Sequence, residues 1–174
     1  MGLLAAIMLA VYLANPFGTA SLDPRARLLG VALYKIPSRS MEPTLQQGDF
    51  ILANAARYAF GDLVVFRFPP QRSIAYVKRI AGIPGDRVRI DGGRLYVNER
   101  PVTEPYLAQQ ALRQPDSLRM AERTVPAGQY FMLGDNRDNS NDSRYWGYVP
   151  RADLVGRVFA VWYAEDTRRI GSVR

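Results

Sequence analysis

From residue 50 onward the chain is built of short runs in which apolar and polar residues alternate or Val, Ile, Tyr and Phe cluster, each bounded by Gly, Pro, Asp or Asn. FILANAARY, DLVVFRF, IAYVKRIAG, DRVRIDGGRLYVNERPV, QYFMLGD and, near the C-terminus, LVGRVFAVWY are such runs. A period of two sends successive side chains to opposite faces of a sheet, and no sustained helical repeat competes with it. Asp91-Gly92-Gly93 between RVRI and RLYV is a hairpin signal, because turns that match strand twist need positive φ; Arg87, Arg89 and Arg94 are expected on the outside of that ribbon. The fold class is therefore all-β, with a small ribbon lobe inserted between about residues 84 and 130. Segment 105–125 is polar and aperiodic, and reads as a short helix or a mobile loop. The stretch from 20 to 36 reads as a linker carrying the apolar patch LLGVALY, and DTRRIGSVR as a tail. A length of 174 residues suits one domain with a small second lobe.

The exception to the β pattern is the start, MGLLAAIMLAVYLANPFG. Its apolar run ends at Asn15-Pro16, since proline disfavours the helical conformation of the residue before it. Thirteen helical residues rise about 20 Å, against roughly 30 Å of hydrocarbon in a bilayer. A signal peptide, a buried core helix and a membrane anchor, short or trimmed at its start, are the competing readings. The first lacks its basic start. Arg25 and Arg27 follow the run, and the charge rule alone would place the downstream side in the cytoplasm.

Composition narrows the chemistry. The chain has no Cys and no His. Thiol nucleophiles, thiolate metal sites and a Ser-His-Asp triad are thereby excluded. Of the 23 basic residues only Lys35 and Lys78 are lysines. Arginine does not deprotonate in proteins, so an amine base has two candidates. The net charge of +7 fits a solvated arginine-rich surface or attraction to anionic partners. No basic run reaches five residues and no zinc finger or recognition helix appears, so nucleic acid is not expected as a partner.

Three stretches can carry chemistry. In PSRSMEPTLQQGD, prolines at 37 and 43 remove amide donors and hold a loop in one shape. Its serines are either turn formers bonded to their own backbone or a nucleophile in need of a base. In IAYVKRI, alternation puts Ile74, Tyr76, Lys78 and Ile80 on one face and Ala75, Val77 and Arg79 on the other. A lysine among large apolar side chains has its charged form disfavoured and can act as a base near neutral pH. Alternatively Arg79's face meets solvent and the lysine snorkels. In GDNRDNSNDSR, acidic residues mimic a calcium loop but miss its spacing: from Asp135 the third position is Arg137, and from Asp138 the sixth is Ser143 where glycine is required. An Asp/Arg network fits better, and it could hold Ser140 against a reactive amine. Without His or Cys, a serine enzyme must use lysine or a carboxylate. A Ser-Lys dyad is the leading chemistry.

PSRSMEPTLQQGDFI, YVKRIAGIPGDRV and GDNRDNSNDSRYWGYVP, in that order, resemble the three signature blocks of bacterial type I signal peptidases, serine peptidase family S26. The resemblance implies a signal-peptidase-like β-sheet or barrel core over 36–84 and 128–165, an inserted lobe over 85–127, an anchor helix over 1–18 and a linker over 19–35. It implies Ser40 as nucleophile, Lys78 as general base, Ser38 with the Ser40 amide for the oxyanion, and Ser140 hydrogen-bonded to Lys78. Asp142 would pair with Arg144, with Asp135 and Arg137 in support. Ile36, Pro37, Met41, Leu45, Tyr76 and Val77 would line pockets for the small residues of an Ala-X-Ala site. The substrate would add as a strand, a form of β-augmentation. The implied enzyme removes signal peptides from preproteins without metal or cofactor. It is a monomer, single-pass in the bacterial plasma membrane, with its catalytic domain on the outer face. Arg39 stands where the family often has a small residue. A specialised processing peptidase with few substrates would share this chemistry, and a non-catalytic anchored binding module would not need it. A self-cleaving repressor, which has a similar Ser-Lys β fold, would need a DNA-binding domain for which the residues before Ser38 leave no room.

Overall fold

The computed structural model describes residues 2–18, 24–107 and 112–173. Parts of the sequence assigned above to a linker (19–23) and to the polar segment (108–111), and the last residue of the tail, lie outside the described residues.

Among the described residues twelve strands form two antiparallel sheets. They are β1 (Val31–Lys35), β2 (Phe50–Asn54), β3 (Leu63–Arg67), β4 (Ala75–Gly82), β5 (Arg87–Asp91), β6 (Arg94–Val97), β7 (Arg100–Pro101), β8 (Arg119–Thr124), β9 (Gln129–Leu133), β10 (Val149–Pro150), β11 (Leu154–Tyr163) and β12 (Gly171–Ser172). The larger sheet runs β1-β2-β11-β3-β4-β9-β10, with β12 added to β11. Among the described residues no pairing joins β1 to β10, so the core is an open sheet and not the closed barrel that was one of the expected forms. The smaller sheet, β7-β6-β5-β8, is the inserted ribbon. Its β5–β6 turn has Gly92 and Gly93 at φ 57° and 79°, the conformation the hairpin signal requires.

Four strands escaped the sequence reading: β1, β8 and the two-residue β10 and β12. The supposed linker holds a short helix, α2 (Pro24–Leu29), and the edge strand β1, paired with β2 from Val31↔Asn54 to Lys35↔Phe50. The polar segment holds a helical turn, α3 (Pro115–Leu118), and β8, paired with β5. In β8 only Met120 is buried, so main-chain pairing holds the strand without an apolar alternation to reveal it.

Three apolar clusters position the site. Ile36, Met41 and Leu45 pack with Ile51, Val65, Val155 and Val158. Val88, Ile90 and Leu95 of the ribbon pack on Ala81, Phe131 and Leu133, which fixes the lobe against the far ends of β4 and β9. Val64, Phe66, Ile80, Met132 and Leu154 form the third. Burying each such side chain contributes about 1.5–3 kcal/mol.

The N-terminal helix α1 (Gly2–Ala14) buries no residue, and Leu3 is 78% exposed. It contacts α2, where the Arg27 guanidinium lies 4.9 Å from the centre of the Tyr12 ring. Among the described residues no helix is long and apolar enough to cross a membrane.

Candidate active site

Lys78 lies midway along β4, which pairs with β3 over Ala75–Arg79 and with β9 only from Arg79 onward. The lysine is 4% exposed. Its Nζ is 2.6 Å from Ser40 Oγ. Burial pulls the Lys78 pKa down from 10.5 to about 8, against the upward pull of Asp142 and Asp135; Arg144 adds to the depression. A neutral amine can then accept the serine proton across the contact that the ammonium donates along.

Ser40 stands on the turn that leaves β1. Pro37 removes one strand amide there, and Leu45 N–H bonds to Met41 C=O at 2.9 Å as the chain coils away. Ser38 Oγ is 3.2 Å from Ser40 Oγ. Among the described residues no acceptor takes the Ser40 amide. The Ser38 hydroxyl and the unbonded Ser40 amide thus both lie beside the Ser40 hydroxyl. Arg39 points outward, 67% exposed, with Nε 3.8 Å from Glu42.

The loop after β9 supplies the other wall. Asp142 and Arg144 pair at 2.8 Å and are almost wholly buried. Asp142 also accepts the Gly134 amide at 3.0 Å, and Arg144 donates to the Arg137 carbonyl at 2.6 Å. Asn136 ties this loop to the serine turn, its amide donating to Ser40 C=O and its side chain to Arg39 C=O, both at 3.1 Å. Asp135 and Arg137 do not pair with each other. Asp135 takes both ends of Arg79, at 2.8 and 2.6 Å, and Arg137 pairs with Glu104. Arg79 is thus buried, and the alternative in which its face meets solvent does not hold: that face is filled by a carboxylate from another loop. Ser140 is buried with Oγ unpartnered among the described residues. No bond joins it to Lys78, because the hydroxyl is turned onto Gly134, where a methyl on Gly134 would lie.

A groove of about 350 Å³ runs past the Ser40–Lys78 contact. Ile36, Pro37, Met41, Tyr76 and Val77 line it; Leu45 is not among its lining residues and packs fully buried with Ile36 and Met41. Tyr34, Val65, Ile74, Asn139 and Asn141 also line the groove. The unpaired edge of β4 before Arg79 and the chain leaving β1 both border it.

A model of the family described as "Signal peptidase, peptidase S26" matches residues 3–163. The chain belongs to that family. Signal peptidase I of Pseudomonas aeruginosa is 41% identical over 180 residues, covering 74% of this chain and 63% of that protein. Probable signal peptidase I-2 of Synechocystis is 43% identical over 136 residues, 71% of this chain and 59% of that one. The chain thus spans less than two thirds of the length of these relatives. A crystal structure of a signal peptidase I from Enterococcus faecalis superposes with a TM-score of 0.53 at 31% identity, covering 59% of this chain and 97% of that one. The S26 site also includes residues to which the sequence patterns gave no role in it. Gly134, Asn136, Arg79 and Glu104 brace it. So does Arg169 near the C-terminus, whose guanidinium bonds Asp49 at 2.8 Å and the Thr44 carbonyl at 3.1 Å beneath the serine turn. Only their meeting in space marks them.

Proposed function

We propose that this protein is a membrane-anchored serine endopeptidase that removes signal peptides from preproteins after Ala-X-Ala sites. The observation that carries the reading is the 2.6 Å contact of a buried lysine with a serine hydroxyl at the wall of an apolar groove; membership of the S26 family supports it. The substrate segment lies extended between the chain leaving β1 and the open edge of β4, and small side chains enter the groove beside Met41, Tyr76 and Val77.

In the proposed cycle, neutral Lys78 takes the Ser40 proton as Oγ attacks the carbonyl carbon of the last signal-peptide residue. The Ser40 amide and the Ser38 hydroxyl donate to the oxyanion. The intermediate collapses with C–N cleavage, and the Lys78 ammonium gives its proton to the leaving amine. Lys78 then deprotonates a water that releases the acyl group and restores Ser40. Asp142, Arg144, Asp135 and Arg137 hold the wall, and Ser140 packs within it. The helix α1 anchors the chain in the plasma membrane, with the β domain on the outer face.

The reading is tested with a labelled preprotein in detergent: cleavage is expected at the bond after Ala-X-Ala, and an intact preprotein contradicts it. Ser38→Ala removes one of two oxyanion donors. It should lower kcat by roughly 100-fold or more while KM changes little. A rise in KM at unchanged kcat would take Ser38 out of that role.

A further inference from the structure

Glu104 and Tyr106 belong to none of the three stretches that carry the chemistry. They follow the ribbon strands β5–β7, on a segment of the inserted lobe that passes the loop after β9. The Glu104 side chain is 5% exposed and pairs with Arg137, whose side chain is 0% exposed. The Tyr106 hydroxyl donates to the same carboxylate at 2.7 Å. Its ring lies against the Arg79 guanidinium, 4.4 Å from the centroid. Two residues of the lobe thereby hold both arginines that brace the catalytic wall, one by charge and one by its aromatic face.

Each arginine passes that restraint on. Arg137 Nε donates to the Gly134 carbonyl at 3.1 Å. Arg79 holds Asp135, the next residue, while its Nη1 donates to the Gly61 carbonyl at 2.8 Å. Gly134 lies against the Ser140 side chain and the Ser40 carbonyl with no spare room. Asp135 is one of the carboxylates whose charge reaches Lys78, with Asp142 and, in the opposite sense, Arg144. A fully buried guanidinium stays put only while its counter-charge does.

We infer that Glu104 and Tyr106 are positioning residues, a latch through which the inserted lobe sets the 134–140 backbone and so the aim of Ser40 and Lys78. The inference rests on the Ser-Lys peptidase reading above. It makes the lobe a tuner of turnover and not only an appendage.

The test is preprotein cleavage by the full chain in detergent, with kcat, KM and the pH profile of kcat/KM measured for wild type, Glu104→Gln, Glu104→Asp and Tyr106→Phe. Glu104→Gln keeps the shape and removes the charge. It should lower kcat about tenfold or more with KM within about twofold. The apparent pKa of the profile should move up, toward that of a solvated lysine, as the wall loosens. Glu104→Asp should recover part of the kcat. Tyr106→Phe keeps the ring on Arg79 and deletes one hydroxyl; its effect should be in the same direction and smaller, and it decides the matter if Glu104→Gln does not fold. A role in folding alone would lower the melting temperature and leave kcat and the pH profile of the folded enzyme unmoved, which would overturn the latch while the peptidase reading stands. Failure of the wild type to cleave overturns both.

Discussion

Lys78→Arg is expected to abolish preprotein cleavage, with a loss of at least 1,000-fold in kcat, on the order of what a general base contributes. The substitution keeps a cation at the site and removes the one thing the mechanism needs, a nitrogen that can shed its proton. The buried lysine is tuned for that task. With its pKa at about 8, roughly one molecule in ten carries the neutral amine at pH 7, against about one in 3,000 for an unshifted lysine. The wild-type kcat/KM should therefore climb about tenfold per pH unit below 8 and level off above it. The same shift has a consequence for stability. Between pH 8 and 10.5 the unfolded chain holds a proton that the native one has released, so stability rises with pH across that window, and below pH 8 the full cost of a buried ammonium is present. Lys78→Met, apolar and of similar length, should then be inactive yet more stable at pH 7, by up to about 3 kcal/mol. A thermal melt alongside the activity assay checks both. Lower stability of the Met variant at pH 7 would mean that burial is not what depresses the lysine.

Gly134→Ala should be nearly as damaging. A methyl there overlaps the Ser140 side chain and comes within 2.6 Å of the Ser40 carbonyl oxygen. The carbonyl cannot retreat freely, because Asn136 holds it from the same loop, and Gly134 is itself held at both its amide and its carbonyl. Either the loop or Ser40 must move. A displacement of about 1 Å costs on the order of 100-fold in rate, and overpacking costs about 1–3 kcal/mol of stability. Removing the obstructing side chain in Gly134→Ala/Ser140→Gly should restore part of that stability. Wild-type kcat in the single variant would show that the contact between the two loops is not what aims Ser40.

The strands β2 to β6, β9 and β11 were legible in the sequence either because burial on one face writes a period of two, as in β2 and β5, or because burial on both faces leaves a continuous apolar run, as in β3 and β9. β1 and β8 were not. β1 sits at a sheet edge with Leu33 45% exposed, and β8 buries one residue of six. In both, main-chain pairing decides the structure, and side chains do not record it. Elimination, with no His or Cys to compete, led to a Ser-Lys dyad, and the resemblance singled out Ser40 and Lys78 for it. The braces were not. Arg79 on β4 reads as an outward-facing cation until Asp135 arrives from a loop 56 residues away, and Glu104 reads as a surface acid until Arg137 buries it. Leu45 shows the converse error. The resemblance implied a pocket wall there, and the apolar side chain alone does not separate a wall from the core behind it, where Leu45 packs with Ile36 and Met41.

The central claim is that Ser40 is the nucleophile of a peptidase. It is tested most directly by incubating a labelled Ala-X-Ala preprotein with wild type and with Ser40→Ala in detergent and reading the product N-terminus by mass spectrometry. The expected result is a mature protein beginning at the residue after the last alanine with the wild type and no product with Ser40→Ala, although the variant melts as a folded protein. Cleavage at the same bond and rate by Ser40→Ala would contradict the account.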